Sequence, residues 1–391
     1  MCHRLSFSAV GLFVIAATTG CPSDPATSNC DIEKHRLAGT ELTLMADARM
    51  DAVGEGFVLF GSTGTDVRWA SLGKDGTLGA EHHLNAPIIP AHVGPVLFAV
   101  AGQDVPGDSV VIAFVPAGAP TTGMVNLMTL SVTFDNTMPG EPQILAQIPA
   151  AAKVAMVSGR GGMHAALAWG VPGVRAVTAR IVGGDGRAIG TDLGLGAPDD
   201  FDCLRFSPGR ADMTLGYVDL SGTPPAPAFV GTEIGADGTP QPSFRLPIGK
   251  QPPSCVEMAP TDTGYGFAWH STGIGTYFGM YTPGNPQFPS FEVLADVQVA
   301  GGPPSLAGLG WMGKGYSILF ARPTGGEVWP IDAMGHRQGT VPVFPSMVGH
   351  TGLLSSQPAG NALYATYADY TYADPTNTTA GVRFLVKVSC P

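Results

Sequence analysis

Phe267-Ala268-Trp269 sets an apolar residue, a small residue and an aromatic side by side, and variants of this short pattern return along the whole chain. It reads Val58-Leu59-Phe60, Ile112-Ala113-Phe114, Leu167-Ala168-Trp169 and Leu215-Gly216-Tyr217 before that point. Ile318-Leu319-Phe320 and Ala365-Thr366-Tyr367 follow it. The aromatics stand 54, 55, 48, 52, 51 and 47 residues apart. Chance apolar clusters do not keep one interval that many times, and a period of about fifty residues marks propellers and solenoids.

Each copy divides into the same four parts. A first strand precedes the aromatic one: Leu42-Thr43-Leu44-Met45 in copy one, Val96-Leu97-Phe98-Ala99-Val100 in copy two. A third follows, at Val67 to Leu72, Val125 to Val132, Val174 to Val182, Ala228 to Ile234, Thr276 to Tyr281, Val328 to Ile331 and Val382 to Val388. Tight turns such as Lys74-Asp75-Gly76, Gly184-Asp185-Gly186 and Ala236-Asp237-Gly238 come next, then a short last strand such as Ala80 to Leu84. Asp-Gly between apolar runs is a hairpin signal, because Gly tolerates positive φ and Asp bonds the local backbone. No 3.6-residue apolar period after the first twenty residues is long enough for a helix.

The expected fold is therefore all-β: a seven-bladed β-propeller of four-stranded antiparallel blades over residues 31–391, with tandem β-sandwiches as the alternative. Aromatics on every second strand fill the wedge between radial sheets, while Ala113, Ala168, Gly216 and Ala268 face the other way and admit the next blade. Copy seven runs out at its third strand, so its outer strand is expected from Asp31 to Ala38. A Cys30 to Cys390 disulfide would then lock the seam.

Hydrophobic residues make up 44% of the chain and charged ones 13%, the balance of a folded protein. The 54 Gly and 35 Pro fall between short apolar runs, as the punctuation of many turns. With 20 basic and 31 acidic residues the net charge is −11, which repels phosphate backbones and excludes nucleic acid as the expected partner.

At the N-terminus, Arg4 and the apolar stretch Leu5 to Ala17 read as an export signal too short for a membrane span. Thr18-Thr19-Gly20-Cys21 resembles a bacterial lipobox, with Thr18 where that family prefers Leu. The resemblance implies cleavage before Cys21 and diacylglycerol on its thiol, followed by the polar tether Pro22 to Asn29. Pro22 in place of Asp implies the outer membrane by the same family's sorting rule. The domain reading is a signal peptide at 1–20, a lipid-anchored tether at 21–30 and the propeller beyond, touching a membrane through its anchor only.

Cys30, Cys203, Cys255 and Cys390 remain in the mature chain, enough for two disulfides in any of three pairings. Cys203 and Cys255 are one period apart, each fourteen residues before its aromatic (Tyr217 and Trp269). Matching places on neighbouring inner strands lie near the ~7 Å Cα limit for a bridge, so this pairing stays open. There is no CxxC and no Cys/His pair at zinc spacing, and neither metal nor cofactor is expected.

Across residues 31–391 the repeat resembles the blades of uncharacterised bacterial β-propeller lipoproteins. It lacks the Gly-His and Trp-Asp pairing of WD40 repeats, the kelch double glycine and the sialidase Ser-x-Asp-x-Gly-x-Thr-Trp box. The resemblance implies a fold and an address, and brings no catalytic residue with it.

Catalytic propellers gather polar groups around one channel mouth, on loops that leave second strands and enter first strands. Here those places hold Asp219, His270, Arg322 and Asp369, and Asp199, Asp200 and Asp202 ahead of the fourth inner strand. Paired carboxylates there could serve as acid and base on a glycan or bind calcium; solvated loop residues are the plainer reading. Positions matching the two cysteines in the other copies are Ala46, Val100, Ala155, Leu306 and Leu353, which predict an apolar channel. His82 and His83 fall on an outer strand and point to opposite faces. No G-x-S-x-G elbow or P-loop occurs.

The expected function is a cell-envelope binding or interaction scaffold without catalytic activity, monomeric, offering loops to a protein or saccharide. Its loops are Val115 to Gly123, Gly222 to Pro227 and Ala368 to Gly381, the last carrying Tyr370 and Tyr372. A glycan hydrolase or lyase working through Asp200, Asp202 or Asp219 is the alternative.

Overall fold

The computed structural model describes residues 30–45, 48–53, 56–63, 66–84, 96–103, 105–116, 118–134, 139–210, 212–221, 227–235, 237–248, 255–271, 275–284, 292–295, 305–322, 325–344, 355–359, 361–369 and 382–390. The chain opens with β1 (Asp31–Arg36) and one helical turn, α1 (Glu41–Leu44). Blade one is the meander β2 (Arg49–Val53), β3 (Gly56–Thr63), β4 (Asp66–Leu72) and β5 (His82–Leu84). Blade two is β6 (Leu97–Ala101), β7 (Ser109–Phe114), β8 (Met124–Thr133) and β9 (Gln143–Pro149). Blade three is β10 (Lys153–Ser158), β11 (His164–Val171), β12 (Val174–Gly183) and β13 (Ala188–Gly196). Blade four is β14 (Phe201–Pro208), β15 (Met213–Asp219), β16 (Ala228–Ile234) and β17 (Phe244–Pro247). Blade five is β18 (Val256–Pro260), β19 (Tyr265–Ser271), β20 (Gly275–Tyr281) and β21 (Glu292–Ala295). Blade six is β22 (Ser305–Trp311), β23 (Gly315–Arg322), β24 (Gly325–Asp332) and β25 (Val341–Phe344). Blade seven is β26 (Ser355–Ala359), β27 (Ala362–Asp369) and β28 (Val382–Ser389), with β1 as its outermost strand.

All ladders are antiparallel, each inner strand touches the next, and β26 touches β2, so the sheets close into a ring. Seven four-stranded blades in a ring are the propeller that the repeat predicted, and the sandwich alternative falls away. We call the face where inner strands begin the entry face, and the face of the first-to-second-strand hairpins the exit face.

Alternation decides the packing. In β7, Ile112 and Phe114 face blade one, where Phe60 and Trp69 lie, whereas Val111 and Ala113 face Leu167 and Trp169 of blade three. The residue beside the aromatic, small in blades two to five, is a docking surface for the next sheet. At Gly266 a Cβ would stand 2.3 Å from the Tyr316 ring of blade six, so only glycine allows that approach. The outer turns behave as read, with Gly76, Gly186 and Gly238 all at positive φ beside an Asp that caps the turn.

One element differs from expectation. Leu42 to Met45 is not the first strand of blade one; it forms α1 and the residue after it, and the inner strand is β2. Thr40 accepts from the Thr43 N–H and Thr43 caps Thr40 in return, which starts a helix, while Glu81 takes the Leu42 N–H at 3.1 Å. Leu42 and Met45, one helical turn apart, then plug the wedge between blades seven and one.

The seam closes as the strand count required. β1 pairs with β28 from Asp31↔Ser389 to Arg36↔Phe384, and Cys30 is bonded to Cys390 with Cα atoms 4.2 Å apart. Behind it the buried Arg383 donates to the carbonyls of Thr43 (3.1 Å), Met45 (2.6 Å) and Ala48 (3.4 Å), fixing the segment that enters blade one.

Candidate functional site

The entry face of blades three to five holds most of the candidate polar groups. Asp202, second residue of β14, is ion-paired with Lys153, first residue of β10, and accepts from the Cys203 N–H at 2.7 Å. Burial raises its carboxyl, but the Lys153 and Cys203 hydrogen bonds outweigh that and hold it below the usual range. Asp219 ends β15 and is buried. It is paired with Arg245 of β17 and accepts from the Ser221 N–H at 2.8 Å and from the Ser221 hydroxyl. Here too burial raises the carboxyl and those partners bring it below the usual range. The same charge, added to burial, pushes the neighbouring Tyr217 up to about 12.

Register separates the two carboxylates. Phe201 stands opposite Asp219 and Asp202 opposite Val218, which directs Asp202 and Asp219 to opposite faces of the sheet. Asp200 lies on the loop ahead of β14, exposed, its carbonyl accepting the Leu220 N–H at 3.0 Å; beside it the Asp199 N–H donates to Ser221 at 3.1 Å. His270, next to last in β19, is buried with Nδ1 3.3 Å from the Thr276 hydroxyl, and burial lowers its pKa. Arg322 ends β23 and Asp369 ends β27, so the strands bring both to the entry face; their side chains lie outside the described residues. Cys21, Tyr370 and Tyr372 lie outside the described residues altogether.

Cys203 and Cys255 are bonded, with Cα atoms 5.0 Å apart. They do not sit at matching places. Cys203 lies in a bulge of β14 between Asp202 and Arg205, at φ +50°, the one non-glycine in that region among the described residues, while Cys255 stands just ahead of β18. The bulge closes a gap that regular strands would leave near the bridging limit.

The inner strands are less apolar than the periodic positions implied. Val100 and Ala155 are buried as expected, Ala46 and Leu353 lie outside the described residues, and the Leu306 side chain does too. Asp51 of β2, however, accepts from the Ser158 hydroxyl of β10, and that hydroxyl accepts the Val100 N–H of β6 at 2.8 Å. The Ala52 N–H adds 3.0 Å to the other carboxylate oxygen. This buried belt joins three blades, and burial raises the Asp51 carboxyl against the pull of its hydrogen bonds. A second unforeseen pair sits on the exit face, where His164 Nε2 is 2.7 Å from Asp212 Oδ2 across the junction of blades three and four. The Gly161 N–H donates to the same carboxylate at 3.1 Å. Both pairs involve partners from different repeats, and nothing in a single repeat signals them. No group of three or more His, Cys, Asp or Glu among the described residues is arranged to hold a metal.

Fold and closure define the class: a seven-bladed β-propeller whose ring is sealed by a strand and a disulfide. Its two disulfides fit an oxidising, exported environment, and no helix among the described residues is long and apolar enough to cross a membrane. No protein-family model matches the chain and no curated protein matches its sequence. Among solved structures it is similar to the SapL1 lectin in complex with alpha methyl fucoside, at 11% identity and TM-score 0.44, over 79% of this chain and 99% of that one. It is also similar to a prolyl endopeptidase (14%, TM-score 0.46), over 90% of this chain and 51% of that one. A puromycin-hydrolyzing peptidase of Mycobacterium tuberculosis matches at 14% and TM-score 0.42, over 82% of this chain and 50% of that one. The chain thus spans about half the length of the two peptidases. A likeness at such identity is one of fold, from which function does not follow.

Proposed function

We propose that the protein is a binding scaffold of the bacterial cell envelope, held by a lipid on Cys21 and offering its entry-face loops to a protein or saccharide without turnover. The observation that carries this reading is the internal pairing at the mouth. Asp202 is neutralised by Lys153 and Asp219 by Arg245, on opposite faces of blade four, and Cys203 is held in a disulfide. A general acid and base for a glycosidic bond need two carboxyls facing one substrate and a raised pKa on the acid. Both Asp202 and Asp219 are instead lowered.

Purified protein incubated with a panel of envelope polysaccharides is expected to retain some of them and release no product. Product formation that Asp200→Asn abolishes would overturn the scaffold in favour of a hydrolase or lyase. The anchor is tested separately: the wild type should incorporate a fatty-acid analogue and Cys21→Ser should not, whereas equal labelling of the two removes the lipid from the account.

A further inference from the structure

On the exit face, away from every residue considered above for binding, a cavity of about 420 Å³ opens between blades five and six. That volume lies in the range of small-molecule sites. Its walls are aromatic: Tyr265 and Tyr281 from blade five, Trp311 and Tyr316 from blade six. Tyr265 and Tyr316 are buried, Tyr281 and Trp311 half-buried, so the last two present ring surface to whatever enters.

The walls are held from behind. The Tyr265 hydroxyl is taken up by Glu233 and stands 3.0 Å from the Thr214 hydroxyl, outside the cavity. Tyr281 stacks on Phe244 with centroids 4.8 Å apart, and Trp311 packs edge-on to Tyr316 at 4.7 Å. Thr261 accepts the Gly264 N–H at 2.9 Å and hydrogen-bonds the Tyr316 hydroxyl, tying the β18–β19 hairpin to blade six. At the tip of that hairpin is Asp262, exposed on the cavity rim. Its carboxylate has no hydrogen-bond or ion-pair partner among the described residues, unlike Asp202, Asp219 and Glu233, which all have a cation. Among the described residues, no Lys, Arg or His lines the cavity.

We propose that this cavity binds a small organic cation with a methylated ammonium head, free in solution or carried as a lipid headgroup. Aromatic faces attract a cation through their quadrupoles, and a methylated ammonium favours such walls because it has little hydration to lose. Asp262 supplies the counter-charge. A neutral saccharide fits less well, since its vicinal hydroxyls call for several planar amide, carboxylate or guanidinium partners and the lining offers one such side chain. The inference stands on the cavity alone and survives or fails independently of the entry-face scaffold.

The test is calorimetric titration of the full chain with choline, with its uncharged carbon isostere 3,3-dimethylbutan-1-ol and with methyl glucoside. Choline should bind saturably and the isostere about tenfold or more weakly. Asp262→Asn, an exposed change that leaves the walls intact, should weaken choline about fivefold. Trp311→Leu should abolish binding while circular dichroism confirms the fold, and Glu141→Gln, an exposed change in blade two, should change nothing. With the Cys21→Ser protein, which carries no lipid of its own, flotation with phosphatidylcholine but not phosphatidylglycerol vesicles, lost in Trp311→Leu, would mark the headgroup as the source; choline binding without flotation marks the free cation. Equal affinity for choline and its isostere, preference for the glycoside, or full affinity in Asp262→Asn and Trp311→Leu would overturn the proposal.

Discussion

Arg383 is the residue on which the entry into blade one depends, because it is buried and spends its guanidinium on three backbone carbonyls. Arg383→Met keeps most of the volume and leaves those carbonyls short of donors. The expected loss is about 2–4 kcal/mol in urea unfolding, with the ring still assembled. Asp51 makes a different prediction, one of sign. Burial places its folded pKa above the unfolded one, so its contribution is fully present at low pH and is lost as pH rises through the raised value. Asp202, Asp219 and Glu81 are lowered and act the other way, losing their contribution as pH falls through their folded values. Asp51→Asn should therefore gain on the wild type in Tm as pH rises from the carboxylate range towards neutrality. An unchanged difference between the two Tm profiles would show that Asp51 titrates as it does in the unfolded chain.

At the scale of elements, what the sequence made legible was whatever repeats. The second strands, the third strands from Val67 to Val388, the Asp-Gly turns and the borrowed outer strand all follow from one period, because each blade solves the same packing problem. The misreading of Leu42 to Met45 came at the place where the repeat is broken: four apolar-rich residues fit a strand, and only the Thr40 and Thr43 caps decide for a helix. The site was legible only as a face. Which carboxylates stay free depends on cations 49 residues away for Asp202 and 26 for Asp219, and the Cys203 bulge has no local marker. The borrowed strand makes its own prediction. Cys30→Ala with Cys390→Ala removes a bond spanning 360 residues, for which the chain-entropy estimate is about 6 kcal/mol. Amide exchange should then accelerate in β1 and β28 first, while blades three and four keep their protection; uniform acceleration would mean that the seam is not the weak point.

For the whole molecule, closure is the property from which the rest follows. Each blade buries its aromatics only against two neighbours, so an open ring would expose the apolar faces of blades one and seven, where Phe57 and Tyr364 now meet at 4.9 Å. The two disulfides tie the closed ring at the seam and between blades four and five. Residues 31–36 complete the last blade, and a disulfide joins the ends of the ring. Mass spectrometry of peptides from the unreduced protein tests it directly. One linked pair is expected to contain Cys30 with Cys390, and another Cys203 with Cys255. Cys30 linked to Cys203 or Cys255, or Cys30 and Cys390 recovered as free thiols, would contradict it.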